Sequence, residues 1–237
     1  CGGDKKEAKK AEPAKVLRVG TEPAFAPFEF PKEGSKELTG FDIELIQAIG
    51  KQMGTKVEIA GMGFDALIPA LNAGNIDAAI AGMTITDERK KAVTFSDPYY
   101  TSGLIVMVKK DNTAVKSVDD LKGKRIAAQI GTTGEMKARK GEGAKVTTFN
   151  TQDEAALELK NGGVDAVIGD LPVVEYFLTK GGDKFAMTVG EKMEAEQYGI
   201  AVKKDSKLAA DINKAMVELK RSGEFDKIYK KWFGDKK

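Results

Sequence analysis

The chain has no histidine and only one cysteine among its 237 residues. The first absence removes the commonest general base, the commonest zinc ligand and the usual partner of a nucleophilic Ser or Cys, so most hydrolase and metalloenzyme readings lose their key residue. The second excludes an intramolecular disulfide and a cysteine zinc cluster. Long hydrophobic runs are missing as well: no stretch approaches the roughly 20 apolar residues that a membrane-crossing helix needs. Charge of one sign is also lacking. Thirty-eight Lys and Arg stand against thirty-six Asp and Glu, a formal net charge of +2, with the lysines spread along the chain, which gives no reason to expect a nucleic-acid partner.

What is present is enough apolar matter, 41% of the residues, for one large domain or two lobes of roughly a hundred residues each. The lone cysteine is residue 1. Cys1-Gly2-Gly3, followed by a Lys- and Glu-rich stretch through Pro13, reads as the start of a mature bacterial lipoprotein with lipid on Cys1 as its membrane anchor. The alternative is that its position is incidental. Residues 1–14 hold almost nothing that could be buried and read as a disordered tether.

From Val16 onward short β-branched runs alternate with amphipathic stretches, the mark of an α/β fold with mainly parallel strands. Strands are expected at Val16 to Val19, Val57 to Ile59, Ile76 to Ala81, Arg125 to Ala128, Lys145 to Phe149, Asp165 to Ile168 and Gly199 to Val202. Helices are expected over Phe41 to Ile49, Asp65 to Ala73, Gln152 to Asn161, Leu208 to Ser222 and Glu224 to Phe233, with shorter ones from Asp87, near Val118 to Leu121 and from Thr133. The stretch Ala73 to Gly82 matches Asn161 to Asp170, from helix end to strand end, which argues for two lobes on one plan. Lobe 1 is expected to comprise 15–107 and 200–237, lobe 2 to comprise 108–199, with a hinge near 106–110 and 196–201.

In open α/β sheets ligands collect at the carboxyl ends of strands, so two facing lobes would enclose a cleft there. In Ala81-Gly82-Met83-Thr84-Ile85-Thr86-Asp87-Glu88-Arg89 a strand stops, small residues expose backbone polar groups, and an arginine follows that can grip a carboxylate through two parallel hydrogen bonds. An exposed helix arginine beside Asp87 and Glu88 is the other reading. In the second half Gln129, Thr132 and Thr133 lie on a comparable Gly/Thr turn, and Asp170 ends its strand where Gly82 ends the first. Its carboxylate would either pair with an ammonium group or cap the helix that starts at Leu171. Phe25 and Phe64, both beyond first-lobe strands, could sandwich a side chain, and Glu22 could meet a guanidinium, ammonium or amide.

The segments EPAFAPFEF, GFDIELIQAIGKQMG, FDALIPALNAGNIDAAIAGMTITDERKK, VTFSDPYY, VDDLKGKRIAAQIGTTGE, VDAVIGD and FDKIYKKWFG together resemble the polar amino-acid branch of bacterial periplasmic solute-binding proteins. The resemblance runs from Val16 to Gly234. It implies a two-lobed type II periplasmic-binding-protein fold, a free L-amino acid as ligand, the membrane permease of an ATP-driven importer as partner, and no metal or cofactor. It also implies action outside the cytoplasm as a monomer, in contact with the membrane only through the lipid. Arg89 would bind the ligand α-carboxylate with the amides of Thr84 and Thr133, and Asp170 would bind the α-ammonium with the Gly82 carbonyl and the Thr84 hydroxyl. Ala81, Met83 and Thr132 would complete the wall, Phe25 and Phe64 would stack on the side chain, and Glu22 and Gln129 would read its polar end. Arginine is the first choice and glutamine the second, with lysine and histidine behind, whereas aspartate and glutamate would be repelled by Glu22. The same fold also resembles secreted dehydratases that act on cyclic carboxylates, but an acid/base pair for that chemistry is not obvious. A sensor module is the other rival.

Overall fold

The computed structural model describes residues 15–235, so Cys1 and the expected tether lie outside the described residues. The first half runs β1 (Val16–Thr21), a small hairpin of β2 (Phe30–Pro31) and β3 (Leu38–Thr39), α1 (Phe41–Gln52), β4 (Lys56–Gly61), a single turn Phe64–Ala66, α2 (Leu67–Asn72), β5 (Ala78–Ala79), α3 (Asp87–Lys90) and β6 (Val93–Phe95). The second contains β7 (Tyr100–Lys109), β8 (Arg125–Gln129), α4 (Thr133–Arg139), β9 (Lys145–Phe149), α5 (Gln152–Lys160), β10 (Ala166–Asp170), α6 (Leu171–Thr179) and β11 (Ala186–Tyr198). The chain then returns through β12 (Ala201–Lys203) to α7 (Leu208–Ser222) and α8 (Glu224–Phe233).

Two five-stranded sheets result, ordered β4-β1-β5-β12-β6 and β9-β8-β10-β7-β11. In each, three parallel strands (β4, β1, β5 and β9, β8, β10) are joined by an antiparallel strand, β12 or β7, and then by an edge strand antiparallel to it. The repeat seen in the sequence is therefore a repeat of topology. It extends to a matching ion pair: Arg18 grips Asp77 through Nε and Nη2 at 3.2 and 2.9 Å, and Arg125 grips Asp165 the same way at 3.3 and 3.0 Å.

The lobe boundary differs from the sequence expectation. β7 pairs along its length with β10 and β11, so Tyr100–Lys109 belongs wholly to the second sheet, and the chain first passes between sheets at 96–99 rather than at 106–110. The cause is the unbroken apolar run from Leu104 to Val108, whose side chains are all buried, as in a central strand covered on both faces. The return passage is Gly199-Ile200. The two passages run side by side: Ser96 N–H donates to Ile200 O at 2.8 Å, Ile200 N–H to Ser96 Oγ at 2.9 Å, and Tyr99 N–H to Tyr198 O at 3.0 Å. β11 was not foreseen, because Glu191 to Gln197 is mostly charged and exposed and carries no apolar alternation.

The first core is built on α1, whose Phe41, Ile43, Leu45, Ile46 and Ile49 are buried, and on α7 and α8, which cover it through Ile212, Met216, Leu219 and Phe225. Each such side chain contributes roughly 1.5–3 kcal/mol when fully buried. The start of α1 needs glycine at residue 40, because its φ is 125° and a Cβ there would lie 2.2 Å from the Phe28 carbonyl oxygen. That close approach lets Phe41 N–H and Asp42 N–H bond the carbonyls of Pro27 and Phe28, which brings Asp42 beneath the ends of the strands. Among the described residues no helix is long and apolar enough to cross a membrane.

Candidate functional site

Beyond β5 the chain runs through Ala81, Gly82, Met83 and Thr84, all buried. Gly82 has φ +53°, and a Cβ there would lie 2.6 Å from the Phe25 ring, so only glycine fits. Its N–H donates to Asp42 Oδ2 at 2.8 Å. The next residues are fastened to the end of β11: Gly199 N–H donates to Met83 O at 3.0 Å and Ile85 N–H to Gln197 O at 2.8 Å, with Thr84 bridging Tyr198. Thr86 caps α3 by accepting the Arg89 N–H, which fixes the backbone from which Arg89 projects.

Arg89 is only 7% exposed, which excludes the reading as a solvated helix arginine. Its Nη1 donates to Thr84 O at 2.6 Å and its Nη2 to Gly131 O, in the second lobe, at 2.9 Å. The guanidinium carbon lies 5.4 Å from the centre of the Phe64 ring, so Phe64 supports the cation.

In the second lobe the turn after β8 is held by two side-chain bonds: Thr132 Oγ1 caps α4 by accepting the Glu135 N–H at 3.2 Å, and Glu135 Oε1 accepts the Gly131 N–H at 2.8 Å. Thr132 Oγ1 also donates to Gln129 O at 2.7 Å, so the Thr132 side chain is committed to starting α4. Thr133 Oγ1 donates to Glu196 at 2.9 Å.

Asp170 begins α6 without capping it. Its carboxylate instead accepts a hydrogen bond from the Tyr198 hydroxyl, which itself accepts from Ser102 Oγ at 3.0 Å. Burial pushes the Asp170 carboxyl up to about 7; the Tyr198 hydroxyl and the Arg89 charge pull it down, and Glu196 pushes it further up. Arg89 and Asp170 thus act on one another across the cleft, yet no ion pair joins them. Burial lowers the Arg89 pKa, and the charges of Asp170 and Glu196 oppose this.

Glu22 and Gln129 come together on another side. Glu22 is 3% exposed; its Oε1 accepts the Ala24 N–H at 3.1 Å and its Oε2 has no partner. Gln129 Nε2 donates to Asn150 O at 3.1 Å, while its Oε1 is buried without a partner. Burial pushes the Glu22 carboxyl up to about 7, opposed by Gln129 and the Ala24 N–H, and Asp153 and Glu154 add repulsion. Each unpartnered buried acceptor costs about 1–3 kcal/mol, so the pair favours a donor-rich group between them. Phe25, 5% exposed, packs on Phe28 with ring centres 6.0 Å apart and against Gly82, so it belongs to the first core as well as to this wall.

Sequence reasoning missed three groups here: Glu196, Tyr198 and Asp42. The hinge expectation at 196–201 touched the first two without assigning them a role. Asp42, in the first turn of α1, carries no sign in its local pattern that its side chain runs inward. Behind it Glu29 is fully buried, and burial, reinforced by the Asp42 charge, holds its pKa well above the ordinary carboxyl range. A surface groove of about 860 Å³ lies elsewhere, between Glu44, Ala48 and Lys51 on α1 and Leu219, Lys227 and Lys231 of the last two helices, away from the strand ends.

The arrangement offers a buried cation and a buried carboxylate on opposite lobes and two unpartnered acceptors to one side. Residues 17–235 match the family described as bacterial extracellular solute-binding proteins, family 3. The arginine-binding extracellular protein ArtP of Bacillus subtilis is 39% identical over 229 residues, covering 94% of this chain and 88% of that protein. A probable histidine-binding protein of Neisseria gonorrhoeae is 38% identical, covering 98% of this chain and 89% of its own length. An ancestral arginine-binding protein solved with glutamine bound superposes with a TM-score of 0.89 at 50% identity, covering 93% of this chain and 98% of that one, and an ancestral arginine-binding protein solved with arginine bound superposes with the same TM-score and identity.

Proposed function

Because this chain belongs to the bacterial extracellular solute-binding proteins, family 3, we propose that it captures a free polar L-amino acid between its lobes, arginine first and glutamine second, and delivers it to the membrane permease of an ATP-driven importer. The observation that supports this reading is that Arg89 and Asp170, both buried and on opposite lobes, feel each other's charge without forming an ion pair. A zwitterion has one charge for each. Its carboxylate takes the remaining donors of Arg89 and the amides of Thr84 and Thr133, and its ammonium takes Asp170, the Gly82 carbonyl and the Thr84 hydroxyl.

The side chain then points toward Glu22 and Gln129, along Phe25 and Phe64. A guanidinium brings five N–H donors to the two unpartnered acceptors, a glutamine amide only two. Aspartate and glutamate would add acceptors to acceptors and leave all of them unpaired, which is why they rank last. Arginine-binding relatives, and ancestral arginine-binding proteins solved with glutamine and with arginine, are in keeping with these two ligands. The enzyme alternative draws no support from these relatives, which carry the names of binding proteins.

Closure is proposed to turn on the paired passages at 96–99 and 199–200, and the closed form to be what the permease recognises. The test is a thermal-shift panel of the twenty amino acids. A ligand at a thousand times its dissociation constant adds about 4 kcal/mol to apparent stability. Arginine is expected to give the largest shift and glutamine the next; a panel in which no amino acid moves the transition overturns the reading.

A further inference from the structure

Glu196 lies two residues before the end of β11 and is buried. Its Oε1 accepts the hydroxyl of Thr84, from the first lobe, at 3.2 Å, and that of Thr133, from the second, at 2.9 Å. The backbone is bent to aim it there. The register of β11 on β7 shifts between Met193 and Glu196, and Glu194 adopts φ +50°, a left-handed conformation that a non-glycine residue holds only where its surroundings impose it. Gly103 on β7 makes room for this irregularity: a Cβ there would lie 2.9 Å from the Glu194 carbonyl oxygen. Glu194 itself turns outward to Lys137 at 2.9 Å, so the bulge separates two glutamates, one to the surface and one to the cleft.

A hydroxyl has one proton and two lone pairs. With their protons donated to Glu196, Thr84 and Thr133 can offer anything else in the cleft only lone pairs. We propose that Glu196 is a positioning residue that fixes both hydroxyls as acceptors and thereby specialises this wall of the cleft for the α-ammonium of the ligand. Without the carboxylate the hydroxyls turn freely and donate as readily as they accept, and the wall no longer tells an ammonium from a carboxylate. Glu196 also joins Asp170 in the field of Arg89, so two carboxylates repel a ligand carboxylate that enters the wrong way round. This inference rests on the amino-acid reading above.

The experiment is calorimetric titration of the wild-type protein and Glu196→Ala with arginine and with δ-guanidinovalerate, which is arginine without its α-ammonium. The variant is expected to lose on the order of tenfold in affinity for arginine, the range for hydrogen bonds to a charged group, and little for the des-amino compound. Glu196→Gln, which keeps an acceptor oxygen, should recover most of the loss. Thr84→Val, which deletes one of the two hydroxyls and leaves every residue of β11 in place, should repeat the ligand-selective loss and serves if Glu196→Ala does not fold. Equal losses for both compounds, or none for arginine, overturn the inference while leaving the amino-acid reading standing. If the wild-type protein binds no amino acid, the reading itself falls and takes the inference with it.

Discussion

Arg89, on the first lobe, donates through Nη2 to the backbone carbonyl of Gly131 on the second at 2.9 Å. Its other bonded nitrogen goes to the Thr84 carbonyl, so both of these partners are neutral and the positive charge stays available to a third group. The same side chain thus holds the two lobes together and presents a cation between them.

Replacing that fork by a point charge separates the two roles. Arg89→Lys keeps the charge but cannot reach both carbonyls and a ligand carboxylate at once. Affinity for arginine is expected to fall at least a hundredfold, within the range of about 2–5 kcal/mol for disrupting a buried charge pair. The ligand-free melting temperature should fall as well, because Thr84 O and Gly131 O lose donors. Calorimetry within tenfold of wild type would remove Arg89 from the carboxylate site.

Glu22 and Asp170 each have a carboxyl raised to about 7, and in both the main cause is burial. Both are protonated more readily in the folded than in the unfolded chain, so between the ordinary carboxyl range and about 7 the folded state holds more protons. By linkage, their contribution to the stability of the ligand-free protein is greatest at the acid end of that window and is lost as pH rises through 7. Arginine binding has the opposite slope, since it needs both groups ionised: affinity should fall as pH drops below 7, with protons released on binding. Glutamine needs only Asp170 ionised and should weaken less. Titrations in buffers of different ionisation enthalpy read the proton release directly, and pH-independent arginine affinity between 5 and 7 would be the contrary result.

Tyr198→Phe deletes the hydroxyl that stabilises the Asp170 carboxylate. The Asp170 pKa should then climb further. Arginine affinity at neutral pH is expected to drop about tenfold, the usual scale for a hydrogen bond to a charged group, and to recover in alkaline buffer once Asp170 ionises. A loss that is the same at every pH would mean that Tyr198 matters only as packing.

Gly82→Ala forces a Cβ into the Phe25 ring from a left-handed backbone, a conformation costing a non-glycine residue roughly 1–2 kcal/mol. The loop must shift, and with it the Gly82 N–H held by Asp42. The melting temperature and the arginine affinity should fall together; an unchanged protein in both assays would show that the loop is looser than its contacts indicate.

Much of this site was legible in the chain because the signals are local. The Gly/Thr turn at 131–133 marks the start of α4, Gly82 marks a turn, and Asp170 stands where the repeated strand stops. Arg89 could be assigned to the site but not distinguished from a surface residue, because burial is not written in the residues beside it. Phe25 was expected as a ligand platform and proves also to pack in the first core. Thr132 was expected at the ligand and spends its hydroxyl on the helix cap.

By itself the sequence determined the α/β architecture, the two copies of one plan, and helices α7 and α8, because each of these depends on periodicity and turn residues within a few positions. Tertiary structure alone decided that β7 and β11 complete the second sheet, that Glu196 points into the cleft, and that Tyr198 rather than the start of α6 holds the Asp170 carboxylate. Those outcomes depend on pairs such as Thr84 with Glu196, 112 positions apart, and Tyr198 with Asp170, 28 apart. No local pattern encodes which distant strand supplies the partner; that is set when the sheets assemble and the polar groups they bury must find one another.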